Sequence, residues 1–278
     1  MTTIALFGAG GKMGVRLATN LTKTDNDLLF VEVSPEGRER LKAEAGLECV
    51  TQEEALSRAD VVILAVPDRL IGKVLSGFVS DLKPNTAVIM LDAAAPHAGT
   101  LPARDDITYF VAHPCHPPLF NDETDLDAKK DYFGGIKAKQ HIICSLAQGP
   151  EEHYQLCEDI ARAFYAPVMR SHRCTVEQMA ILEPALSESV GATFAKALAD
   201  ATQAAADRGI PYQAAEDFML GHLTILLAVA FGHQPGGKLS DGCLLAIEEA
   251  EPVIFKEGWL DKVFDPASVK ASVESICR

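Results

Sequence analysis

The stretch that decides the fold class is Ile4-Ala5-Leu6-Phe7-Gly8-Ala9-Gly10-Gly11-Lys12-Met13-Gly14. The apolar run Thr3–Phe7 predicts a strand, and it passes directly into a glycine-rich turn that precedes a helical pattern. Glycines allow a tight turn and a close approach of the backbone to a phosphate, whose charge meets N–H groups at the start of the helix. The spacing is closer to G-x-x-G-x-x-G than to the strict dinucleotide motif, so the turn alone is a weak signal.

The acidic residue Glu32 strengthens this signal. It ends the second predicted strand, Leu28–Val33, where a carboxylate can bond both ribose hydroxyls and repel a 2′-phosphate. NAD is therefore favoured over NADP, although Arg38 and Arg40 lie near. The residues expected to hold the dinucleotide are Gly8, Gly10, Gly11, Lys12, Met13, Gly14 and Glu32. A glycine-rich turn that binds no nucleotide is the alternative.

The next buried strand, predicted at Val61–Ala65, also ends in candidate cofactor residues. Ligands of open α/β sheets bind at the carboxyl ends of the strands, so Val66 is expected near the ribose and nicotinamide. Asp68 is a candidate for cofactor contact, but a helix N-cap role is the stronger interpretation. The same alternative applies to Asp92, which follows the strand predicted at Ala87–Leu91.

The order of elements predicts an α/β fold with two domains. Short β-rich runs alternate with helical patterns in the first half, which is typical of a parallel sheet covered by helices. Further strands are predicted at Tyr109–Ala112, His141–Ser145 and Val168-Met169, and helices at Glu151–Phe164, Thr175–Asp207, Gln213–Phe231, Asp241–Glu257 and after Pro266. We expect an N-terminal Rossmann-type parallel-sheet domain that binds NAD over residues 1–173. An all-α domain for substrate binding and dimerisation would follow over residues 174–278.

Composition excludes several classes of protein. The 278 residues include 25 Lys and Arg against 39 Asp and Glu, a net charge of −14, and no basic run that would bind nucleic acid. The most apolar stretch, Phe218–Phe231, is too short to span a bilayer, so no membrane association is expected. The 7 cysteines are scattered as in a reduced protein, and no signal peptide is evident, which indicates the cytoplasm.

The least ordinary segment is His113-Pro114-Cys115-His116-Pro117-Pro118-Leu119-Phe120-Asn121-Asp122, which we call the histidine loop. It follows a predicted strand, and its prolines would stiffen it at the carboxyl edge of the sheet. His113 and His116 are candidates for general acid/base chemistry or metal binding. The alternative is a pair of hydrogen-bonded loop histidines without a chemical role.

A second candidate lies in the long predicted helix after Thr175. Its apolar stripe is Met179, Leu186, Val190, Phe194 and Leu198, and Glu183 falls within that stripe. A carboxylate on a buried face must be paired, metal-bound or protonated, so Glu183 is a candidate site residue. Pro184 is expected to kink the helix beside it.

Other polar residues have weaker functional interpretations. Glu188 points away from Glu183 and is expected to be a solvated or interface acid. His222, on a very apolar helix, is expected to be a satisfied core histidine. Arg170 and Arg173, near the domain junction, fit a substrate carboxylate or a wet hinge equally well.

Four segments together resemble the bacterial D-apionate oxidoisomerase family: the glycine turn, Glu32, the histidine loop and the run Leu182–Glu188. The C-terminal region resembles the phosphogluconate-dehydrogenase-like C-terminal domain. The resemblance implies NAD-dependent oxidation of a branched sugar acid coupled to a carbon shift, similar to the chemistry of ketol-acid reductoisomerases. Its product from D-apionate would be 3-oxo-isoapionate. Carried over by position, Gly8–Gly14 and Glu32 would hold NAD, and His116 and Glu183 would face the metal or substrate.

The chemistry of such a rearrangement suggests a divalent cation, zinc or magnesium/manganese, that polarises the carbonyl formed by oxidation. We expect His116 and Glu183 to be its ligands, with His113 as acid/base or supporting group. A plain NAD-dependent hydroxyacid dehydrogenase and a redox-sensing NAD-binding protein remain alternatives. The alanine-rich helical half has apolar stripes on more than one face, so a homodimer is expected.

Overall fold

A computed structural model describes residues 1–277. Its centre is one seven-stranded sheet with the order β2-β1-β3-β4-β5-β6-β7. The strands are β1 Thr3–Phe7, β2 Asp27–Val31, β3 Val61–Leu64, β4 Ala87–Met90, β5 Thr108–Pro114, β6 Gln140–Gln148 and β7 Val168–Arg173. The predicted α/β class with a helical C-terminal region is confirmed.

Helices cover the sheet and then make up the second half of the chain. In the first half these are α1 Lys12–Leu21, α2 Pro35–Ala45, α3 Gln52–Arg58, α4 Asp68–Ser76, α5 Ala94–His97 and α6 His153–Phe164. The later helices are α7 Val176–Ala180, a π-helix Ile181–Ala192, α8 Thr193–Ala206, α9 Tyr212–Ala230, α10 Asp241–Ile254, α11 Trp259–Val263 and α12 Pro266–Ile276. Single 3-10 turns lie at Val79–Asp81 and Ala128–Lys130.

The sheet is parallel except at one step. β1 to β5 run in the same direction, whereas β6 is antiparallel to β5 and parallel to β7. The predicted parallel sheet is therefore confirmed for β1 to β5, and the last two strands, β6 and β7, run in the opposite direction. β5 also continues two residues beyond its predicted end, through His113 to Pro114, which is opposite Ile142 at the end of the ladder. Because β1, β3, β4 and β5 are adjacent and parallel, their carboxyl ends meet along one edge.

Alternating side chains of the strands form a core on each face of the sheet. Leu6, Ile63, Ile89 and Phe110 pack on one face with residues of α1 and α6. The neighbouring strand residues, such as Phe7 and Val62, pack on the other face with α3 and α4. Since both faces are covered, β3 and β4 are buried along their whole length, as the continuous apolar sequence of β3 indicates.

The long helix predicted after Thr175 is three consecutive segments: α7, the π-helix and α8. Pro184 lies inside the π-helix, where its missing N–H and its ring prevent regular α-helical bonding. The π-helix has a wider turn than an α-helix, so residues that would share one face at 3.6 residues per turn do not share a face across this segment. Met179 is buried, but Leu186 is 47% exposed, so the prediction of one continuous buried stripe is wrong.

The chain divides into two compact units. The first comprises residues 1–180 together with residues 270–278, and the second comprises residues 181–269. The first unit therefore contains the sheet and most of α12, whereas the predicted functional boundary lies at residues 173/174. The predicted division of roles between the two domains stays a prediction. Among residues 1–277, no helix is long and apolar enough to cross a membrane.

Candidate active site

The turn between β1 and α1 has the geometry of a phosphate cradle. Gly8 has φ +76°, in the left-handed region, and a Cβ there would lie 2.3 Å from the Ala65 carbonyl oxygen. A Cβ on Gly14 would lie 2.1 Å from the Gly8 carbonyl oxygen, so only glycine lets α1 begin this close to the turn. The first N–H groups of α1 have no intrahelical acceptor and are available to an anion.

Glu32 lies just beyond β2 and is held by backbone donors beside this turn. Its Oε2 accepts a hydrogen bond from the Gly10 N–H at 3.0 Å, and its Oε1 accepts one from the Ser34 N–H at 2.9 Å. Arg38 Nε donates to the Glu32 carbonyl oxygen at 2.6 Å. The carboxylate is therefore fixed at the place where the sequence predicts a ribose.

Val66 and Asp68 follow β3 on the same edge, and both are half-buried. Asp68 is the first residue of α4, whose N-cap is Pro67. The N-cap interpretation of Asp68 is therefore wrong by one position, because Asp68 is already helical and lies in the first turn. Its predicted contact with the cofactor stays a prediction.

The end of β5 places His113 opposite Asp92. His113 Nδ1 is 2.9 Å from the Pro114 carbonyl oxygen. A carbonyl oxygen can only accept, so Nδ1 carries the proton and the lone pair of the neutral ring is on Nε2. That Nε2 lies 4.0 Å from Asp92 Oδ2, and both side chains are largely buried. Asp92 Oδ1 also accepts from the Ala94 N–H at 2.6 Å, which fixes its carboxylate. The N-cap of α5 is Ala93, so the N-cap interpretation of Asp92 is wrong by one position.

His116 adopts a backbone conformation that is uncommon for a side-chain-bearing residue. Its φ is +59°, in the left-handed region, which costs about 1–2 kcal/mol for an L-residue. Its Nδ1 is 3.0 Å from the Phe133 carbonyl oxygen, so the proton of the neutral His116 ring is on Nδ1 and its lone pair is on Nε2. The ring centroids of His116 and His113 are 6.4 Å apart. The histidine loop, which carries both imidazoles, and the end of β4, which carries Asp92, thus lie at one edge of the sheet.

Glu183 belongs to the second unit, where it lies in the π-helix. It is half-buried and not fully buried as the stripe predicted. Ser187 Oγ donates to its Oε2 at 3.4 Å. The π-helix therefore places a carboxylate in a partly polar setting. The role of Glu183 stays a prediction.

Comparisons with known proteins agree with the architecture. Residues 3–96 match a family model described as NADP oxidoreductase coenzyme F420-dependent, and residues 121–277 match one described as Phosphogluconate dehydrogenase (decarboxylating) C-term. A D-apionate oxidoisomerase of Rhizobium rhizogenes is 56% identical over 99% of this chain and 100% of its own length. A D-apionate oxidoisomerase of Cupriavidus necator is 55% identical over 98% of each chain.

The chain belongs to the D-apionate oxidoisomerase family. It is therefore an enzyme, an oxidoreductase whose first half has the dinucleotide-binding fold. A solved structure described as a semialdehyde dehydrogenase NAD-binding protein from Cupriavidus necator, in complex with calcium and NAD, is 54% identical. It superposes with a TM-score of 0.97, and the match covers 99% of each chain.

The first unit of this oxidoisomerase family member fits the groups that the sequence predicts. A cradle that a Cβ would fill, next to a fixed carboxylate, suits a dinucleotide with an unphosphorylated ribose. The Phe133 carbonyl oxygen bonds the Nδ1 of His116, the kind of partner that metal-ligating histidines have on the ring nitrogen opposite the metal. Imidazole donors suit zinc, and carboxylate donors suit magnesium and manganese.

The remaining sequence candidates lie outside the cluster of His113, His116 and Asp92. Glu188 is exposed, as expected. His222 is exposed, stacks on Phe218 and bonds the Phe218 carbonyl oxygen at 2.8 Å, so the prediction of a core position is wrong for the single chain. Arg173 forms an ion pair with Glu151.

Arg170 Nη2 lies 3.3 Å from His141 Nε2, on the last two strands of the sheet. Burial and the neighbouring Arg170 guanidinium lower the pKa of His141. His141, on β6, lies outside the cluster of His113, His116 and Asp92. The two interpretations of Arg170, as a ligand of the substrate carboxylate and as a hinge residue, both stay predictions.

Asp92 is a stronger functional candidate than its place in the sequence indicates. Asp92 is interpreted from the sequence as an N-cap, but it lies one position before the N-cap of α5, and its Oδ2 faces His113. The signal was available, because an acid directly after a buried parallel strand lies on the ligand-binding edge. Local sequence does not show which residue of β5 lies opposite the end of β4.

Proposed function

We propose that this chain oxidises D-apionate with NAD and shifts one hydroxymethyl group, giving 3-oxo-isoapionate. The observation that carries the proposal is the pair of imidazoles with Nδ1 bonded to backbone carbonyls, next to Asp92 and on the same sheet edge as the glycine turn. Full-length relatives with this activity in their names support the choice of substrate.

The glycine turn and Glu32 would bind NAD. The N–H groups at the start of α1 would meet the pyrophosphate, and the Glu32 carboxylate would accept the ribose hydroxyls. Val66 and Asp68 would lie beside the ribose and nicotinamide. When bound, the nicotinamide supplies a carbon that accepts the hydride from the substrate C2.

His113 would take the proton of the substrate C2 hydroxyl on Nε2. The Pro114 carbonyl holds the ring in the required tautomer, and the nearby Asp92 carboxylate stabilises the imidazolium that forms. Loss of the hydride and this proton leaves a 2-oxo acid beside a tertiary alcohol. Deprotonation of the tertiary hydroxyl then drives migration of one hydroxymethyl group from C3 to C2, which forms the C3 carbonyl and returns a proton to the C2 oxygen.

His116 and Glu183 would hold a divalent cation, zinc or magnesium/manganese. When bound, such a cation polarises the substrate carbonyl and stabilises the neighbouring alkoxide. His116 presents Nε2 from a loop whose conformation is fixed at Phe133, and Glu183 contributes a carboxylate from the π-helix.

Turnover with and without metal tests the reaction. The protein, treated with a chelator and then supplied with Zn²⁺, Mg²⁺ or Mn²⁺, is incubated with NAD and a panel of branched and linear sugar acids. We expect NADH absorbance with D-apionate and a product whose carbon connectivity by NMR shows the migrated hydroxymethyl group. An unrearranged 2-oxo acid would favour a plain hydroxyacid dehydrogenase, and NAD binding without turnover of any acid would favour a redox sensor.

Two substitutions test the ligands separately. His116→Ala and Glu183→Gln are expected to reduce kcat at least a hundredfold and to weaken divalent-metal binding measured by calorimetry. Glu188→Gln, an exposed acid on the same π-helix, is the matched control and should retain both properties. Full turnover of either ligand variant would contradict the assignment.

We further infer a cytoplasmic homodimer. The seven free cysteines agree with a reducing compartment. The second unit exposes many large apolar side chains in the single chain, which supports burial against a second copy.

A further inference from the structure

Arg16 makes three contacts with a single loop of the first unit. It lies on α1, one turn beyond the glycine cradle. Its Nη1 donates to the Gly134 carbonyl oxygen at 2.6 Å and to Asp131 Oδ1 at 3.1 Å. Its guanidinium also lies over the Phe133 ring, 5.6 Å from the centroid. A planar guanidinium can bond an anion and a carbonyl and stack on an aromatic face in one pre-organised geometry, which a flexible lysine ammonium does not provide.

Asp131 is the second fixed point of this loop, residues 131–138. Its side chain is only 4% exposed. Its Oδ2 accepts hydrogen bonds from the backbone N–H groups of Ile136 and Lys137, both at 3.0 Å. A carboxylate with several backbone donors and a guanidinium is fully satisfied, so the loop has one well-defined conformation.

Asn20, one turn further along α1, holds the same loop. Its Nδ2 donates to the Gly135 carbonyl oxygen at 2.8 Å, and the residue is 2% exposed. α1 is therefore connected to residues 131–138 through two side chains on one of its faces.

The loop in turn holds His116 through Phe133. The Phe133 carbonyl oxygen accepts from His116 Nδ1 at 3.0 Å, and the two rings meet edge-on with centroids 5.9 Å apart. His116 has an unfavourable left-handed backbone conformation, so its orientation depends on these partners. If Phe133 moved, His116 would lose the hydrogen bond that fixes both its tautomer and the direction of its Nε2.

We propose that Arg16 is a positioning residue that acts through Phe133 to keep His116 in the Nδ1–H tautomer. The proposal rests on the proposed function only in giving His116 a part in turnover. Arg16 is not among the residues proposed to bind substrate or cofactor. Because α1 begins at the glycine turn, one helix both receives the dinucleotide and sets the orientation of an imidazole in the site.

Nitrogen spectra of the histidine rings test the proposal directly. Protein labelled with ¹⁵N-histidine is compared as wild type and as Arg16→Met, and His116 is assigned from the signal missing in His116→Gln. In the wild type we expect a protonated Nδ1, and in Arg16→Met a shift toward the Nε2–H form that dominates in water. The kcat should fall about tenfold to a hundredfold, as for removal of the partners of other site histidines. The KM for NAD should stay unchanged.

Two further variants and a control complete the test. Arg16→Lys retains one polar contact and should recover part of the kcat and of the tautomer signal, and Asp131→Asn should change both in the same direction as Arg16→Met. Arg58→Met removes a surface arginine that also pairs with two carboxylates, and it should change neither. The proposal is overturned if His116 keeps its tautomer in folded Arg16→Met and Asp131→Asn, even when kcat falls. If the wild type does not turn over D-apionate, the proposed function fails while the spectra still decide this inference.

Discussion

At the scale of single residues, the side chains of the site are oriented by backbone atoms more than by one another. Glu32 is held by two N–H groups, and His113 and His116 are each held by one carbonyl oxygen. A backbone partner cannot rotate away as a side chain can, so these groups are preorganised before any ligand binds. The sequence could identify all three residues by type and place. It could not identify their partners, because Pro114 and Phe133 contribute only a main-chain oxygen that any residue would supply.

Glu32→Gln tests this preorganisation at the cofactor end. A neutral amide cannot accept from Gly10 and Ser34 and also from two ribose hydroxyls, since half of its polar atoms are donors. Losing one charge-assisted hydrogen bond costs about 1.5–3 kcal/mol, which corresponds to an increase of about ten- to hundredfold in KM for NAD. The kcat should change little, because the substitution is remote from the histidines. Steady-state kinetics with varied NAD measures both, and Glu36→Gln on the exposed start of α2 serves as control. An unchanged KM would remove Glu32 from the cofactor site.

At the scale of elements, regular hydrophobic periodicity predicts the strands and helices correctly, whereas interrupted periodicity does not. The positions of β1, β3, β4, α6 and α9 follow directly from their apolar patterns. β6 is predicted as a strand, but its reversed direction has no local signal, because a connection as long as the one from β5 permits either direction. The π-helix was missed because a wider turn shifts every later residue around the axis, and sequence pattern analysis assumes one period. A proline in the middle of an apolar helix was the only local sign.

The close contact of α1 with the glycine turn predicts that one added methyl group has a large effect. Gly14→Ala would place a Cβ against the Gly8 carbonyl and the Ala9 backbone, so α1 must shift outward. Overpacking of this kind costs about 1–3 kcal/mol of unfolding free energy, and the displaced helix should bind NAD at least tenfold more weakly. Urea unfolding and fluorescence titration with NADH measure the two effects. Gly242→Ala, at a helical position with open space around the Cβ, is the control and should be neutral or slightly stabilising. A fully stable Gly14→Ala protein that binds NAD normally would contradict the close packing described for the turn.

At the scale of the whole molecule, the two units differ in how well they bury apolar residues. The sheet is covered on both faces, whereas α9 and α10, described in full, contain no buried residue despite their apolar sequences. Val253 is 84% exposed and Phe231 is 73% exposed. Hydrophobic sequence without burial in the single chain is typical of an obligate interface. Composition alone indicated this, because the alanine-rich half has stripes on more than one face.

The mass in solution tests the dimer. Light scattering should give twice the chain mass of 29.8 kDa across the micromolar range. In a two-fold interface each residue occurs twice, so Phe218→Asp should remove two apolar contacts of about 1.5–3 kcal/mol each and dissociate the protein. Lys270→Gln, at a position in the first unit, should leave the mass unchanged. A wild-type mass near that of one chain would contradict the homodimer.

Residues 270–278 belong to the first unit, although they follow the second unit in the sequence. This determines which fragments of the protein can be produced. A fragment that ends at Ala180 would lack Val273, which is 1% exposed in the intact chain, and would leave an apolar gap where that side chain packs. The nucleotide-binding half is therefore a discontinuous folding unit. To be produced alone it would have to be made as a permuted chain, with residues 270–278 joined through a short linker ahead of Met1 or behind Ala180.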